Sequence, residues 1–458
     1  MSGTDDETTA AIGERAELPA GVADLLASYL ARQRWYAGSG EPPAVEVVAS
    51  RVLPAGGEGT ALWWVVVDAA GGRYQLLLGA RTGAAVPEGL AGNERVLLGA
   101  AGDCTWYDAT ADTELALPLL AIVSGGSETA AHVRPITAEQ SNTSLVYDDR
   151  VILKLFRKLM AGPNPDVEVT TALAAGGFQH VAAPVASWRE QGVDYAFAQR
   201  FLAGGSEGWA LALTSLRDFY AGDPDDPAEA GGDFAGEARR LGQVTAEMHR
   251  VLADTYGVGP LPADRWDGLV GDIGRRLDAL GDDRPAAAGA AVDRFRSLRQ
   301  PVPAIRVHGD YHLGQVMRTD TGWYVLDFEG EPARALDQRV QTASPLKDVT
   351  GMLRSLAYAA RVALRERAGG GEGATADLEA RAEAWEQHNR QAFLAGYEGA
   401  DVADLLPPGG AAGLVADAYE LDKALYELDY ERAYRPDWVD IPMAAVVRLG
   451  AVGADRIG

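Results

Sequence analysis

Two acidic motifs separated by a short spacer constrain this 458-residue chain more than any other feature. The first, Val307-His308-Gly309-Asp310-Tyr311-His312-Leu313-Gly314-Gln315, follows a mostly apolar run from Val302 to Val307. The second, Asp327-Phe328-Glu329-Gly330-Glu331-Pro332, follows Trp323-Tyr324-Val325-Leu326. This pattern places one Asp in a loop just after a strand, a side-chain amide shortly beyond it, and a second Asp at the end of the next strand. Both acids then reach the mouth of one cleft. Phosphoryl transfer needs these groups: a carboxylate to orient and deprotonate an attacking hydroxyl, and oxygen ligands for Mg²⁺.

Composition narrows the setting. The length suits two or three packed units, and 47% hydrophobic residues allow a large core. A single cysteine, Cys104, excludes an intrachain disulfide framework and a cysteine-based zinc site, and it fits a cytoplasmic location. The polar, acidic start Met1-Ser2-Gly3-Thr4-Asp5-Asp6-Glu7 does not read as a secretory signal. No apolar run approaches the ~20 residues that span a bilayer. With 41 basic and 66 acidic residues the net charge is −25, so neither nucleic acid nor membrane is an expected partner. The acidity serves solubility, or tolerance of a cationic substrate. It does not exclude nucleotide, because local lysines and Mg²⁺ outweigh a distant field screened over ~10 Å.

Along the chain, residues 1–17 read as a loose tail. A helix is predicted from Val22 to Arg34, then strands over Val45–Leu53, Thr60–Val67 and Arg73–Leu78. This sheet-plus-helix unit is expected to end at residue 92. A strand-rich piece follows over 93–205, and 206–458 turns helical, with helices predicted at 234–252, 346–367, 376–397 and 411–434. Gly369–Gly373 reads as a flexible loop. The expected class is α+β, with two lobes and a cleft between them.

Upstream of the acidic motifs, Gln140-Ser141-Asn142-Thr143-Ser144 precedes a strand, the turn Asp148-Asp149-Arg150 and the strand Val151–Phe156, which contains Lys154. A lysine inside an apolar strand needs a partner. In a phosphotransferase that partner is the ATP phosphates plus a glutamate on a neighbouring helix, here Glu168. The polar turn, ending at Ser144, lacks glycine but still offers hydroxyl and N–H groups to phosphate. Taken alone, Lys154 reads equally well as an edge-strand lysine reaching solvent. Gln199, Phe201 and Leu202 fall where a strand and hinge would hold adenine by backbone hydrogen bonds; an ordinary buried strand is the other reading.

Together these residues resemble the aminoglycoside-phosphotransferase and choline-kinase group of kinase-like enzymes, and within it the actinobacterial maltokinase-like subgroup that includes glucosamine kinases. The resemblance spans nearly the whole chain. It rests on Arg34-Trp35-Tyr36-Ala37-Gly38, the 140–144 turn, Lys154-Leu155-Phe156-Arg157, Gly162-Pro163-Asn164-Pro165-Asp166-Val167-Glu168 and the two acidic motifs. It rests also on Lys347-Asp348-Val349-Thr350-Gly351-Met352-Leu353-Arg354-Ser355, Lys423-Ala424-Leu425-Tyr426-Glu427 and Arg435-Pro436-Asp437-Trp438. It implies a bilobal kinase-like fold with an N-terminal cap, ATP and Mg²⁺ as cofactors, Asp310 as catalytic base, Gln315 and Asp327 as metal ligands, and Lys154 as the phosphate-binding lysine. Gln315 stands where many relatives have Asn. His312 either touches the metal shell or braces its loop, the latter being favoured, and His308 reads as structural.

The acceptor is expected on the helical lobe near Asp310, and the resemblance implies that helix 411–434 lines its site. At about 100° per residue, Leu414, Ala418, Leu421, Leu425 and Leu428 share one face, and Tyr419, Tyr426 and Tyr430 fall opposite with Lys423. Glu420, Glu427 and Glu431 form a further stripe; Asp422 and Asp429 form another. This is either a solvated charged helix or a sugar-lining one, with Trp438 offering a ring face and His312 close to the acceptor. Glu427, Asp429 and Glu431 lie so close together that a cation is needed among them, either an arginine (Arg432, Arg435) or the ammonium of an amino sugar. A charge-assisted contact of about 1.5–3 kcal/mol would favour glucosamine over a neutral sugar. The expected reaction is therefore phosphorylation of glucosamine at its 6-hydroxyl by a monomer or weak homodimer. Maltose at its anomeric hydroxyl, an aminoglycoside, and a non-catalytic nucleotide-binding role are the alternatives.

Overall fold

The computed structural model describes residues 13–36, 38, 41–83, 90–136, 142–222, 225–283, 285, 288–331, 336–369 and 376–451, the side chains of 336, 337 and 451 excepted. Gln140, Ser141, Pro332 and most of the 369–373 segment lie outside the described residues. The chain divides into two compact units, Met1–Thr171 with Ala182–Ala203, and Ala172–Val181 with Gly204–Gly458.

The first unit is built on two antiparallel sheets. One runs through β1 (Glu14–Arg15), β2 (Val45–Leu53), β3 (Thr60–Ala69), β4 (Gly72–Thr82), β5 (Leu97–Ala101) and β6 (Cys104–Asp108) in the order β1-β2-β3-β4-β6-β5. The other combines β7 (Val133–Ile136), β8 (Thr143–Tyr147), β9 (Val151–Leu155), β11 (Pro184–Glu190) and β12 (Val193–Arg200) in the order β11-β12-β9-β8-β7. Between them in sequence, β10 (Lys158–Leu159) pairs with β4 and joins the first sheet.

Strand β3 shows why its sequence is apolar without a break. Leu62, Trp64 and Val66 enter a core shared with Leu145, Leu153, Trp188 and Phe197 of the second sheet. Trp63, Val65 and Val67 point the other way, into a core with Val22, Leu26 and Leu30. Those three belong to α1 (Val22–Ala31). A strand buried on both faces loses the polar alternation of a one-sided sheet.

Three boundaries differ from expectation. Within the expected tail, Glu14 and Arg15 pair with Val52 and Arg51. The first sheet continues past residue 92, because β5 and β6 add to it beyond β4. Helix α1 ends at Ala31, where Arg32 and Gln33 turn to bond the carbonyls of Glu94, Leu97 and Arg95.

The second unit is mainly helical. Its helices include α5 (Gly208–Ala221), α6 (Ala235–Tyr256), α7 (Ala263–Asp278), α8 (Ala288–Arg296), α10 (Leu346–Arg367), α11 (Ala376–Glu398), α12 (Ala411–Tyr434) and α13 (Asp440–Ala451). Short helices α2 (Thr113–Ala116), α3 (Leu119–Val123), α4 (Pro165–Ala175) and α9 (Leu336–Arg339) complete the count in chain order among the described residues. α10 lies at the centre, against α5, α11, α12 and α13, and is buried along nearly its whole length. A small sheet, β13 (Ser206–Glu207), β16 (Val316–Thr319) and β17 (Gly322–Val325), carries the segment between the two acidic motifs. The apolar run before the first motif is buried but forms only a two-residue strand, β15 (Pro303–Ala304), against β14 (Gly259–Pro260), and a bridge from Ile305 to Ala343. Pro301 and Pro303 lack the N–H groups a longer ladder requires. Among the described residues no helix is long and apolar enough to cross a membrane.

Candidate active site

The loop bearing Asp310 is held from beneath by α10. The Asp348 carboxylate accepts the N–H groups of His308 at 2.7 Å and Gly309 at 2.9 Å, and lies 3.2 Å from His249 Nε2. His249 Nδ1 in turn meets the Tyr397 hydroxyl at 2.9 Å. Burial of Asp348 raises its pKa, but the hydrogen bond and charge of His249, with His308 and the Gly309 N–H, hold it below the usual carboxylate value. The close fit depends on two glycines. Gly309 has φ +90, a region L side chains seldom adopt, and a Cβ at Gly351 would stand 2.6 Å from the Tyr311 carbonyl.

Both histidines of the loop are braces. His308 Nε2 meets the Leu326 carbonyl at 2.9 Å, which ties the first motif to the strand leading into the second. His312 Nδ1 accepts the Gly314 N–H at 3.0 Å, capping the turn Leu313–Gln315, while its Nε2 lies 3.9 Å from Asp310 Oδ2. Burial lowers the His312 pKa more than the Asp310 charge raises it, so the imidazole is neutral.

Asp310 is mostly buried, and its Oδ1 accepts a hydrogen bond from Lys423 Nζ of α12 at 3.0 Å. Burial raises its pKa; the charge and hydrogen bond of Lys423 are foremost among the influences that outweigh burial and keep the carboxylate ionised. Gln315 and Asp327 meet as the spacing implies, Nε2 to Oδ2 at 3.3 Å. A half-turn of the Gln315 amide about its last torsion would present its oxygen instead, giving two hard donors side by side. Asp327 sits at φ +62, a left-handed conformation uncommon for a residue with a Cβ and often stored at functional sites.

In the first unit, Lys154 Nζ forms an ion pair with Asp166 Oδ2 at 3.1 Å. Asp166, at the opening of helix α4 ahead of the expected partner Glu168, holds this contact, which the spacing of the motif did not single out. The neighbouring Pro163-Asn164-Pro165 segment sets it there, with Asn164 Oδ1 accepting the Asp166 N–H at 2.8 Å. Ser144 is buried and lies directly across from Lys154 in the β8–β9 ladder, so the two side chains share a face. Of the expected hinge, Gln199 ends β12 and its amide reaches the Ala182 carbonyl at 3.4 Å. The Phe201 N–H donates to the Arg150 carbonyl at 2.8 Å, which removes it as a donor to adenine. Leu202 is half-buried in the segment that follows.

The acidic residues of α12 have protein partners. Glu420 is buried and takes a two-pronged contact from Arg390, 2.9 Å at each oxygen, with Arg448 at 3.5 Å. Its pKa falls to about 2, because the charges of Arg390, Arg354 and Arg448 overcome burial. Glu431 is buried as well, receiving Tyr358 Oη at 2.6 Å and Arg435 at 2.5 Å. Both carboxylates thereby tie α12 to the helices packed against it. Glu427 is paired with the buried Arg354 at 2.6 Å. Asp429 is exposed and 3.5 Å from Arg276. Tyr430 is 45% exposed and packs at a tilt against Tyr434, and Arg435 lies over the rings of both Tyr430 and Trp438.

What α12 does line is a cavity of about 530 Å³ bounded by Tyr419, Asp422, Tyr426, Arg276, Glu331 and Lys347, among others. Glu331 connects it to the catalytic loop, since Lys423 Nζ lies 3.6 Å from Glu331 Oε1 as well as against Asp310. Lys423, Glu331, Asp348 and Asp166 all fall inside motifs visible in the sequence. Nothing in their spacing shows whom they touch.

Comparison with known proteins agrees with this layout. Residues 29–112 match the maltokinase N-terminal cap domain, and residues 132–385 match a phosphotransferase enzyme family. A glucosamine kinase of Mycolicibacterium smegmatis is 28% identical over 352 residues, 72% of this chain and 82% of the relative. One from Streptacidiphilus jiangxiensis is 28% identical over 347 residues, covering 69% and 73%. A crystal structure of a glucosamine kinase with glucosamine, ADP and inorganic phosphate superposes with TM-score 0.65 at 23% identity, covering 94% of this chain and all of that one. A second crystal form gives 0.67 at 24%, covering 93% and 99%. The fold is the kinase-like one with an added N-terminal cap.

Proposed function

Because this chain belongs to the phosphotransferase enzyme family, we propose that it transfers the γ-phosphoryl group of ATP to a sugar hydroxyl, with glucosamine as acceptor and its 6-hydroxyl as the site. The observation that carries the reading is the placement of Asp310. It is an ionised carboxylate on a rigid loop, joined through Lys423 to Glu331 on the wall of a polar cavity. In that position Asp310 orients the acceptor hydroxyl and takes its proton. Gln315 and Asp327 are adjacent and offer the hard oxygen donors that Mg²⁺ prefers, so they would hold it. Lys154, fixed by Asp166, would meet the nucleotide phosphates. Bound Mg²⁺ and ATP supply the electrophilic phosphoryl group; the residues of the chain orient the acceptor and accept its proton.

The volume of the cavity is within the range typical of small-molecule sites. Its carboxylates Glu331, Asp272 and Asp422 are candidates for an amino group beside those of the α12 stripe, and each such contact is worth about 1.5–3 kcal/mol. The glucosamine kinase relatives support the same acceptor. The cap match favours maltose, phosphorylated at its anomeric hydroxyl, as the second reading. An ADP-release assay over glucosamine, glucose, maltose and an aminoglycoside separates them. Glucosamine is expected to be the fastest substrate; maltose turnover with inert glucosamine would establish the second reading instead.

A further inference from the structure

We propose that Lys423 is the positioning residue of the catalytic carboxylate, clamping Asp310 in one rotamer and coupling it to the wall of the acceptor cavity. The inference rests on Asp310 being the base. It goes beyond that reading by assigning a role to a residue 113 positions away in sequence.

Three contacts fix the ammonium group. Lys423 Nζ lies 3.0 Å from Asp310 Oδ1, 3.6 Å from Glu331 Oε1 and 5.1 Å from the Tyr426 ring centre. A lysine side chain has several free torsions, and it holds one position only when contacts on several sides restrain it. With Oδ1 occupied by Lys423, Oδ2 remains for the acceptor hydroxyl, on the side where His312 Nε2 lies 3.9 Å away. Among the described residues, the charged and titratable groups facing Asp310 include Lys423, His312, His308 and Tyr426, while those facing Lys423 include Asp310, Glu331, Glu427 and Tyr426. Lys347 approaches the same loop at Gly309.

The clamp comes from the helix that also supplies Tyr419, Asp422 and Tyr426 to the cavity. One rigid helix thus carries both the wall that meets the acceptor and the cation that aims the base. A sugar seated against α12 is delivered to an Asp310 whose orientation that helix has already set, and a displaced α12 loses both together. Orientation of this kind is a large part of catalysis in phosphoryl transfer, where the protein does little covalent chemistry.

The test is Lys423→Met, which keeps the length of the side chain and removes its charge. The turnover number for the preferred sugar should fall roughly ten- to hundredfold, with the KM for ATP within about twofold of wild type. The acid limb of kcat/KM for the sugar should move up by about one pH unit, because a cation at this distance lowers a carboxylate pKa by about 1–3 units. Lys423→Arg should recover part of the rate and most of the limb. Glu331→Gln should shift the limb the opposite way, downward, since Lys423 is then shared with no competing carboxylate at that position. A wild-type limb in Lys423→Met, or shifts of the same sign in both variants, would overturn the proposal. Carbon-13 NMR of the Asp310 carboxyl in the full chain needs no turnover. A pKa unchanged by Lys423→Met refutes the clamp whatever the acceptor is, whereas absence of sugar turnover in wild type refutes only the proposed reaction.

Discussion

Glu420→Gln tests whether the α12 carboxylates brace the fold or read the substrate. Glu420 is buried against Arg390, with Arg448 at 3.5 Å. Its pKa drops from the ordinary 4.5 to about 2, so folding favours the ionised form by about 2.5 pKa units, or about 3 kcal/mol at neutral pH. Gln preserves shape and some hydrogen bonding but leaves Arg390 beside an uncharged amide. The expected loss is therefore about 2–4 kcal/mol, near the cost of removing one partner from a buried pair. For a unit of this size that corresponds to a melting temperature lower by about 5–15 °C. The pH dependence has a definite sign. A carboxylate with a lowered folded pKa stabilises fully above about 4.5, and that contribution fades as pH falls towards 2. The gap between wild type and variant, followed by denaturant unfolding, should narrow across this window. The sugar KM should be unchanged. A variant of wild-type stability with a raised sugar KM would show that Glu420 faces the ligand, and the bracing argument would fail.

Other consequences are more direct. Asp348→Asn should lower kcat by at least tenfold and destabilise the second unit by about 1–3 kcal/mol, since an amide cannot accept equally from His308, Gly309 and His249; steady-state kinetics with thermal melts will show it, and full activity would refute support of the loop by α10. Lys154→Met should raise the ATP KM about tenfold or more while leaving the sugar KM near wild type, read from substrate-saturation curves for each.

Much of this molecule is legible in the order of its residues. The unbroken apolar run of β3 announces a strand buried on both faces, and α10 and α12 begin and end where their periodicity does. The Asp310, Gln315 and Asp327 pattern specifies a chemistry, because only certain side chains ligate a hard cation or accept a hydroxyl proton. Local spacing also places Gln315 near Asp327, since one short hairpin joins them.

Partnership across the chain is a different matter. A glutamate on a helix has the same letter whether it meets water, a sugar or an arginine. Glu420 and Glu431 became internal braces only because α11 brings Arg390, and α10 brings Tyr358, to within hydrogen-bond distance. Lys423 could have paired with Glu427 one turn along its own helix; instead tertiary packing sets it on Asp310. Asp166 reaches Lys154 because a proline-flanked turn fixes where α4 begins. The residue types and their short-range order therefore carried the reaction class and the elements. The identities of buried charge partners, and with them which acids remain to meet a substrate, were decided by folding, because Coulomb and hydrogen-bond energies depend on distances in space that sequence separation does not encode.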